Sequence, residues 1–476
     1  MNSVQNPVDE IRALSDLIKS SIDKIEESCL SRGQIYPSAN DPFTPQSEAA
    51  RMAPDVQEYG SIVVAAAAQL IAATRPPPLG LATHALKFHV SSCIRVAINL
   101  HVAEILREGG PLGVHVHDIA SPTKVDPTKL ARVLRLLATN HIFLEVAPDV
   151  FSHNRLSSLL DTGKSVTSIL ADGDAKYDNT LGIAALFDHF GDEAVKSSGY
   201  ITETLIDPKT ARSGEPNQTA FNRAFKTDLP MFHWYDLEEN AFRRRRFGIG
   251  MEGTQNVVAP DAILQGFDWK ALPQGSLIVD VGGGIGSQTH ALAKAFDHLS
   301  FVVQDRDAVI EEAAKFWNEK YPEAVKLGRV KLQAHDFFEP QPISGPSVFF
   351  MRMIMHDWSN DYCLKILSHL RSAAAPSTQL VIIDNIASYA CPDTTSAQQT
   401  PGASTRLPPA PLLANKGEAN VLAYLGDIQM LNLNNGSERT IAQFSELLRK
   451  SGWKLVRVAQ GDGFEGENSK LIGVPA

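Results

Sequence analysis

Six short segments in the second half of the chain carry side chains that could do chemistry. The run Leu277-Ile-Val-Asp-Val281 leads into Gly282-Gly-Gly-Ile-Gly286 and then into a helical pattern with Ala291, Leu292 and Ala295. Glycines at such a strand-to-helix turn permit positive φ and let a ligand reach backbone with no Cβ in the way. The dinucleotide spacing Gly-x-Gly-x-x-Gly/Ala fails, because Gly282-x-Gly284 is followed by Ser287 and Gly284-x-Gly286 by Thr289. Asp280, two residues before the first glycine, places a carboxylate where it would meet a cationic ligand. Asp305 ends the next apolar run about 20 residues past Gly282, the spacing of a carboxylate that accepts both ribose hydroxyls. Alone it would be read as a helix N-cap; with Asp280 and the glycines in one βαβ unit it points to a nucleoside. A third strand end supplies His335-Asp-Phe-Phe338, where Asp336 could accept from an exocyclic adenine amine and Phe337 could stack on the ring.

The segment Phe349-Phe-Met-Arg-Met-Ile-Met-His-Asp-Trp358-Ser-Asn-Asp361 follows a fourth strand, so His356 falls at the same ligand-binding edge. A neutral imidazole with a pKa near 6.5 is a competent base for an acidic hydroxyl at pH 7. A plain packing account makes Asp357 or Ser359 a cap, Trp358 core and His356 incidental. Two acids favour the base. Asp384 ends a fifth strand, and Glu438 follows Asn434-Asn-Gly-Ser437 just before a helix; a carboxylate fixes the tautomer of a catalytic imidazole.

The elements that must position these residues are legible as period changes. Strands are expected at Leu277–Val281, Phe301–Gln304, Arg329–Gln333, Ser347–Met351, Leu380–Asp384, Trp453–Val458 and Lys470–Val474, with helical stretches separating the first five and preceding the sixth. Such alternation implies right-handed crossovers and a mostly parallel sheet covered on both faces. The last two strands, joined through Gly461-Asp-Gly463, have no room for a crossover helix and should pair antiparallel. Residues 388–417, rich in Pro, Ser, Thr, Ala and Gln, read as a mobile insertion.

The first half reads differently. Ile11, Leu14, Leu17, Ile18, Ile22 and Ile25 have helical spacing within a peripheral arm. Ile94, Ala97, Ile98, His101, Val102 and Ile105 predict one amphipathic helix ended by Gly109-Gly110. Asp126 and Pro127 then cap a second, with the stripe Leu130, Val133, Leu134, Leu137. Ile142–Val146 and Val150–His153 around Ala147-Pro-Asp149 form a short wing, completing a winged-helix pattern. Such a fold can set Lys129, Arg132 and Arg135 in a DNA groove. A solvated or subunit-packing face is the preferred account, because the chain carries 44 Lys+Arg against 54 Asp+Glu, a net charge of −10 that gains nothing from counterion release. Residues 180–262 are helical and aromatic, and Arg243-Arg-Arg-Arg246 is expected to be a solvated, ion-paired helix face. Four separated cysteines exclude a disulfide framework or zinc site, the N-terminus has no secretory pattern, and the apolar stretch Ile62–Ala73 is too short to cross a bilayer. A reducing, cytoplasmic setting is expected, without membrane or nucleic-acid partners.

Taken in order, Val279-Asp-Val-Gly-Gly-Gly-Ile-Gly286, Asp305, Asp336-Phe337, Phe350-Met-Arg-Met-Ile-Met-His-Asp-Trp358 and Gly436-Ser-Glu-Arg-Thr440 resemble the plant-type, caffeate-like S-adenosylmethionine-dependent O-methyltransferases, in particular their fungal branch acting on polyketide phenols, such as sterigmatocystin-type enzymes. The resemblance covers about residues 85–476. It implies a class I methyltransferase, an α/β Rossmann-like fold of seven strands whose last hairpin is antiparallel, preceded by a mainly helical winged-helix dimerisation domain. The expected division is an arm over 1–84, the dimerisation domain over 85–165, a helical substrate-pocket segment over 166–262, and a donor-binding domain over 263–476. Carried over residue by residue, Asp280, Gly282, Gly284, Asp305, Asp336, Phe337 and Arg352 would hold S-adenosyl-L-methionine. His356 would be the base, bracketed by Asp384 and Glu438, with Trp358, Met430 and Asn434 lining a pocket for a small phenolic acceptor in a homodimer and no metal required. Asp384 stands where caffeate-type members carry Glu, and Arg352 where plant members carry Lys. A winged-helix regulator sensing a nucleoside is the rival from another class, one that needs no braced base; a nicotinamide oxidoreductase is disfavoured by the glycine spacing.

Overall fold

The computed structural model describes residues 6–255, 262–403, 407–459 and 469–476. The chain divides into two units, one of Met1–Tyr200, Phe232–Val257 and Pro408–Ala419, the other of Ile201–Met231, Val258–Leu407 and Asn420–Ala476.

In the first unit, Asn6 accepts from the Val8 N–H and, with Pro7, starts the helix Pro7–Ser31. It packs along a second helix, Pro54–Thr74, through buried Val56, Ile62, Ala65 and Ala66. This second helix corrects the apolar-stretch estimate: at 21 residues it is long and apolar enough to cross a membrane by length and composition alone. The single helix expected over residues 94–109 is two, Phe88–Asn99 and Val102–Gly109, broken at His101 in the left-handed region (φ 57°). The buried Lys176 explains the break, because its ammonium donates to the Ile98 carbonyl and, at 3.1 Å, to His101 Nδ1. Asp126 caps Pro127–Thr139 through the Thr128 N–H at 2.8 Å, as its sequence predicts. Strands β1 (Val114–His115), β2 (Leu144–Ala147) and β3 (Val150–Ser152) form the wing in the order β1-β3-β2, over a core of Val102, Leu106, Ile119, Leu130, Leu134, Phe143 and Phe151. Arg135 is bound to Glu145 and Asp149 at 3.0 and 2.7 Å.

The basic run departs from its expectation. Ion-pair partners are present, but Arg246 is only 2% exposed rather than solvated. Helix Ala241–Gln255 turns it onto Asp188 (2.8 Å), Asp192 (3.3 Å) and Glu193, while Arg243 reaches Asp192 at 3.0 Å and Arg245 pairs with Asp178. Desolvating a charge is costly unless it is paired and hydrogen-bonded, and here three acids from neighbouring turns supply the pairing.

The second unit is built on seven strands: β4 (Leu277–Val281), β5 (Ser300–Asp305), β6 (Val330–Ala334), β7 (Val348–Arg352), β8 (Gln379–Asp384), β9 (Trp453–Ala459) and β10 (Ser469–Pro475). Their order is β6-β5-β4-β7-β8-β10-β9. The first five are parallel, and β10 runs antiparallel between β8 and β9, as the sequence pattern predicts. The Gly461-Asp-Gly463 connection lies outside the described residues. Order reverses between β4 and β7, the crevice where such sheets receive ligands. One expectation fails. The chain crosses from β6 to β7 over residues 335–347 with no helix, because the Asp336 carboxylate accepts from the Phe338 N–H (2.9 Å) to make a turn and Pro340, Pro342 and Pro346 withhold helical donors. Of residues 388–417, Pro401 accepts from the Val458 N–H at 2.8 Å, Ser388 from Tyr424, and Pro411 from Gln69 at 2.9 Å.

The buried charge cluster predicts a specific loss. Arg246→Ala strips Asp188 and Glu193 of their buried cation, leaving only the more exposed Arg95 at 3.1 Å and Arg243 at 3.7 Å, and should lower unfolding free energy by about 3 kcal/mol, while Arg244→Ala on the exposed side should unfold at the wild-type denaturant midpoint; equal midpoints for the two variants would refute the assignment.

Candidate active site

Every strand of the parallel segment ends at one edge, and each end delivers a side chain the sequence singled out. After β4, Gly282 (φ 70°) and Gly284 (φ 59°) adopt the left-handed conformation that side chains resist. A Cβ on Gly282 would lie 2.6 Å from Ile354 and 3.4 Å from the Phe337 ring, whereas a Cβ on Gly284 would meet nothing within 4 Å. Phe337 therefore borders the glycine turn, which at Gly284 is open. At the end of β5, Asp305 accepts from the Gly284 N–H and the Arg306 N–H, both at 2.8 Å, and burial pushes its carboxyl up. Asp280 is buried in β4, accepts from Thr289 at 2.7 Å, and is pushed up to about 7 by burial, with the Asp305 charge adding to the shift and the Thr289 bond and Arg352 opposing it. Arg352 ends β7; burial lowers its guanidinium pKa against the opposing pull of Asp384 and Asp280. An open glycine cradle, the buried Asp280 and the half-buried Asp305 and Arg352 at the switch point fit the donor that the sequence reading assigned here.

Beyond Arg352 the chain kinks. Met353 is in the left-handed region (φ 55°), its N–H held by the Ile383 carbonyl at 2.8 Å, and the chain turns through a single 3₁₀ turn, Met355–Asp357. This turn carries His356, 9% exposed. Its Nδ1 lies 2.9 Å from Glu438 Oε1, and its Nε2 lies 3.8 Å from Asp357 Oδ1, too far for a hydrogen bond. Glu438 is itself fixed. Its N–H donates to Asp427 at 2.8 Å, and Asn385, next to Asp384, donates to its Oε1 at 3.2 Å.

The sequence-level bracketing of His356 by two acids is thus half realised. Glu438 makes the contact, whereas Asp384 is 0% exposed with neither carboxylate oxygen hydrogen-bonded. Its charge still acts. Burial alone would lower the His356 pKa, but Asp357, Glu438 and Asp384 outweigh it and push the imidazole up to about 10. That corrects the expectation of an unperturbed base near 6.5. Burial also raises Asp357, with Glu438 adding to the shift and His356 and Asn434 opposing it, and burial pushes Asp384 up to about 7.

Asp357 is the site residue that sequence reasoning set aside as a cap; Asn434, from the helix Val421–Asn434, donates to it at 3.2 Å. Its signal was adjacency to His356. Arg439, in the Ser-Glu-Arg run, is the other omission. It donates to the Met355 and Trp358 carbonyls, both at 2.6 Å, and to Asn360 at 3.0 Å, fastening both ends of the histidine turn. Ser437 donates to the His356 carbonyl at 2.8 Å, and a Cβ on Gly436 would sit 2.1 Å from that oxygen. Trp358 is buried in an edge-to-face cluster with Phe337 and Phe338, stacked on Tyr362. Met430 is half-buried on the helix that holds Asp427 and Asn434. Among the described residues no group of three His, Cys, Asp or Glu is arranged to hold a metal.

Residues 208–404 match the O-methyltransferase domain, and residues 82–163 the O-methyltransferase dimerisation domain. An O-methyltransferase of Armillaria gallica is 42% identical over 95% of this chain and 96% of its own length. The chain belongs to the O-methyltransferase family. It is an S-adenosylmethionine-dependent O-methyltransferase. The O-methyltransferase tpcA of Aspergillus fumigatus is 30% identical over 83% of each chain. The structure of the mitomycin 7-O-methyltransferase MmcR has the same fold, with a TM-score of 0.60, 23% identity, and coverage of 84% of this chain and 98% of that one.

The buried Asp384 predicts how stability of the methyltransferase depends on pH. Its folded pKa of about 7 exceeds the ordinary aspartate value of 3.8, so between those limits the folded state holds a proton the unfolded state has lost, and this group's contribution falls as pH rises. Asp384→Asn removes this titration, so its melting temperature should gain on wild type between pH 5 and 7; a constant difference across that range would show that Asp384 titrates normally.

Proposed function

We propose that this methyltransferase transfers a methyl group from S-adenosylmethionine to a phenolic hydroxyl of an aromatic polyketide-type secondary metabolite, with His356 as general base, acting as a homodimer in the cytoplasm. The observation that carries the reading is the His356–Glu438 contact of 2.9 Å on the loop leaving β7, the strand beside the glycine turn. The acceptor class is the one implied by the fungal branch the sequence resembles. The match of residues 82–163 to the dimerisation domain supports the homodimer, as does the exposure of Leu79, Leu81, Leu86 and Phe88 around helix Pro77–Leu86, an apolar surface suited to a second copy.

Asp280, Gly282, Gly284, Asp305, Asp336, Phe337 and Arg352 would hold the donor, which supplies an activated methyl on a sulfonium when bound. Trp358, Met430 and Asn434 would border the acceptor. Because Glu438 accepts a hydrogen bond from Nδ1–H, the neutral imidazole keeps its lone pair on Nε2, the atom that would receive the hydroxyl proton. The three surrounding carboxylates stabilise the imidazolium that results. A phenol has a pKa of about 10, and the raised pKa of His356 makes it a stronger base toward such a hydroxyl than an ordinary imidazole. The cost is that most of the resting protein at pH 7 holds the imidazole already protonated. Alignment of oxygen, methyl carbon and sulfur contributes the rest, up to about 7–11 kcal/mol in favourable intramolecular cases.

Incubation with labelled methyl donor and a panel of anthraquinone, xanthone and simple phenol acceptors tests the assignment. His356→Ala should reduce turnover about 10²–10⁴-fold while S-adenosylhomocysteine binds as in wild type; near-wild-type turnover would remove His356 as the base. Tight binding of NAD with no affinity for S-adenosylhomocysteine would overturn the whole reading.

The pH profile separates proton transfer from mere positioning. For the wild type, kcat/KM should climb from pH 7 to about pH 10 as the imidazolium deprotonates. Glu438→Gln removes an anion that raises the His356 pKa, so the ascending limb should move to lower pH while the plateau drops. A lowered plateau with an unmoved limb would assign Glu438 a structural role only.

A further inference from the structure

Between the helices Ile201–Ile206 and Ala220–Phe225 the chain crosses residues 207–219 without helix or strand, inside the same unit as the His356 loop. Both ends are pinned. Thr210 donates to the Thr204 carbonyl at 2.7 Å and Arg223 donates to Asp207 at 2.6 Å, while Thr219 caps the second helix in a reciprocal pair with Asn222. The middle of the segment makes contacts that capping does not require. A Cβ on Gly214 would lie 2.7 Å from Ser359 Oγ, so the chain runs against the residue that follows Trp358 where a side chain would not fit. Glu215, next to it, bridges two elements. Its carboxylate accepts from the Tyr362 hydroxyl at 2.7 Å, and its carbonyl accepts from Asn435 Nδ2 at 2.8 Å. Tyr362 lies in the first turn of the helix Asn360–Ala373, which leaves the histidine turn, and Asn435 ends the helix Val421–Asn434, which packs on it.

Tyr362 matters because of what rests on it. The Trp358 ring stacks on it with centroids 5.8 Å apart and planes at 25°, and Phe338 closes edge-on against both, 4.7 Å from Trp358 and 5.2 Å from Tyr362. Arg439 holds the Trp358 carbonyl, whereas the ring leans on these aromatic neighbours, and Tyr362 carries the hydroxyl that another segment grips. Burial pushes that hydroxyl up to about 12, with the Glu215 bond and charge adding to the shift, so it remains a donor at neutral pH.

We infer that Glu215 is a positioning residue for the acceptor: through Tyr362 it fixes the Trp358 ring as a wall of the acceptor pocket before the acceptor arrives. This rests on the phenol-methylating reading above, in which Trp358 borders the acceptor. A wall that must be ordered during binding weakens binding. His356 itself is held by Glu438 and Arg439, without Glu215.

The test measures methylation of a hydroxyanthraquinone by full-length Glu215→Ala, Glu215→Gln and Tyr362→Phe proteins and by the Glu215→Ala/Tyr362→Phe double variant. Loss of one hydrogen bond should raise KM for the acceptor in Glu215→Ala about three- to tenfold, with kcat kept within about twofold of wild type. Glu215→Gln keeps an oxygen for the tyrosine hydroxyl and should restore KM. The double variant should be no worse than the worse single one, because both substitutions remove the same interaction. An unchanged KM in Glu215→Ala, a joint loss of kcat and KM that glutamine does not rescue, or losses that add in the double variant would each overturn the inference. A second measurement needs no acceptor. In protein labelled with fluorotryptophan, the Trp358 resonance, assigned by its absence from Trp358→Phe, should shift and broaden in Glu215→Ala and return in Glu215→Gln, while that of Trp453, buried in its strand, stays in place. A Trp358 signal identical in wild type and Glu215→Ala overturns the inference even if turnover falls. Wild-type protein that methylates no phenol refutes the phenol reading instead, and the fluorine spectrum then decides the positioning of Trp358 by itself.

Discussion

The short contact between His356 Nδ1 and Glu438 Oε1 is the constraint on which the site depends. It joins two segments 82 residues apart in sequence, one leaving β7 and the other entering the helix Ile441–Lys450. Much of the surrounding structure exists to hold those segments in register. Arg439 ties both ends of the histidine turn, Gly436 lets backbone approach the His356 carbonyl, and Asp427 fixes the Glu438 amide. The kink at Met353 aims the turn, and a strained backbone of this kind persists only where its surroundings over-determine it.

Electrostatics give the contact its chemical meaning. Three carboxylates surround one imidazole in a buried setting, and only one of them bonds to it. Asp384, lacking a partner, adds charge without geometry, and that charge is part of why the imidazole is a strong base. A shorter acid at the end of β8 thus alters the cluster by leaving a desolvated carboxylate with a raised pKa rather than by breaking the site.

The strand ends were legible because parallel strands buried on both faces read as apolar runs, and the residues just after them fall at one edge by topology alone. Asp280, Asp305, Asp336, His356 and Asp384 could be placed in this way from sequence. The His356 pKa could not, because it depends on Glu438 and Asp384, which arrive from distant segments, and on their distances. Arg246 misled for a related reason: a basic run looks solvated unless the acids on the neighbouring turns are known to face it. The break at His101 was hidden because an apolar stripe runs through it, and the interrupting ammonium of Lys176 comes from 75 residues further on. The crossover from β6 to β7 was misread because alternation suggests a helix, while its prolines and the Asp336 turn argue locally against one.

The central claim is that His356 is a strong base because Glu438 and two further acids surround it. Titration of the protein with isotopically labelled histidine, followed by NMR of the His356 ring in the absence of ligands, measures this directly. The account predicts that the ring stays protonated through neutrality and loses its proton near pH 10, with the Nδ1 proton retained in the neutral form. A midpoint at or below the ordinary imidazole value of 6.5, or a neutral ring protonated on Nε2, would contradict it.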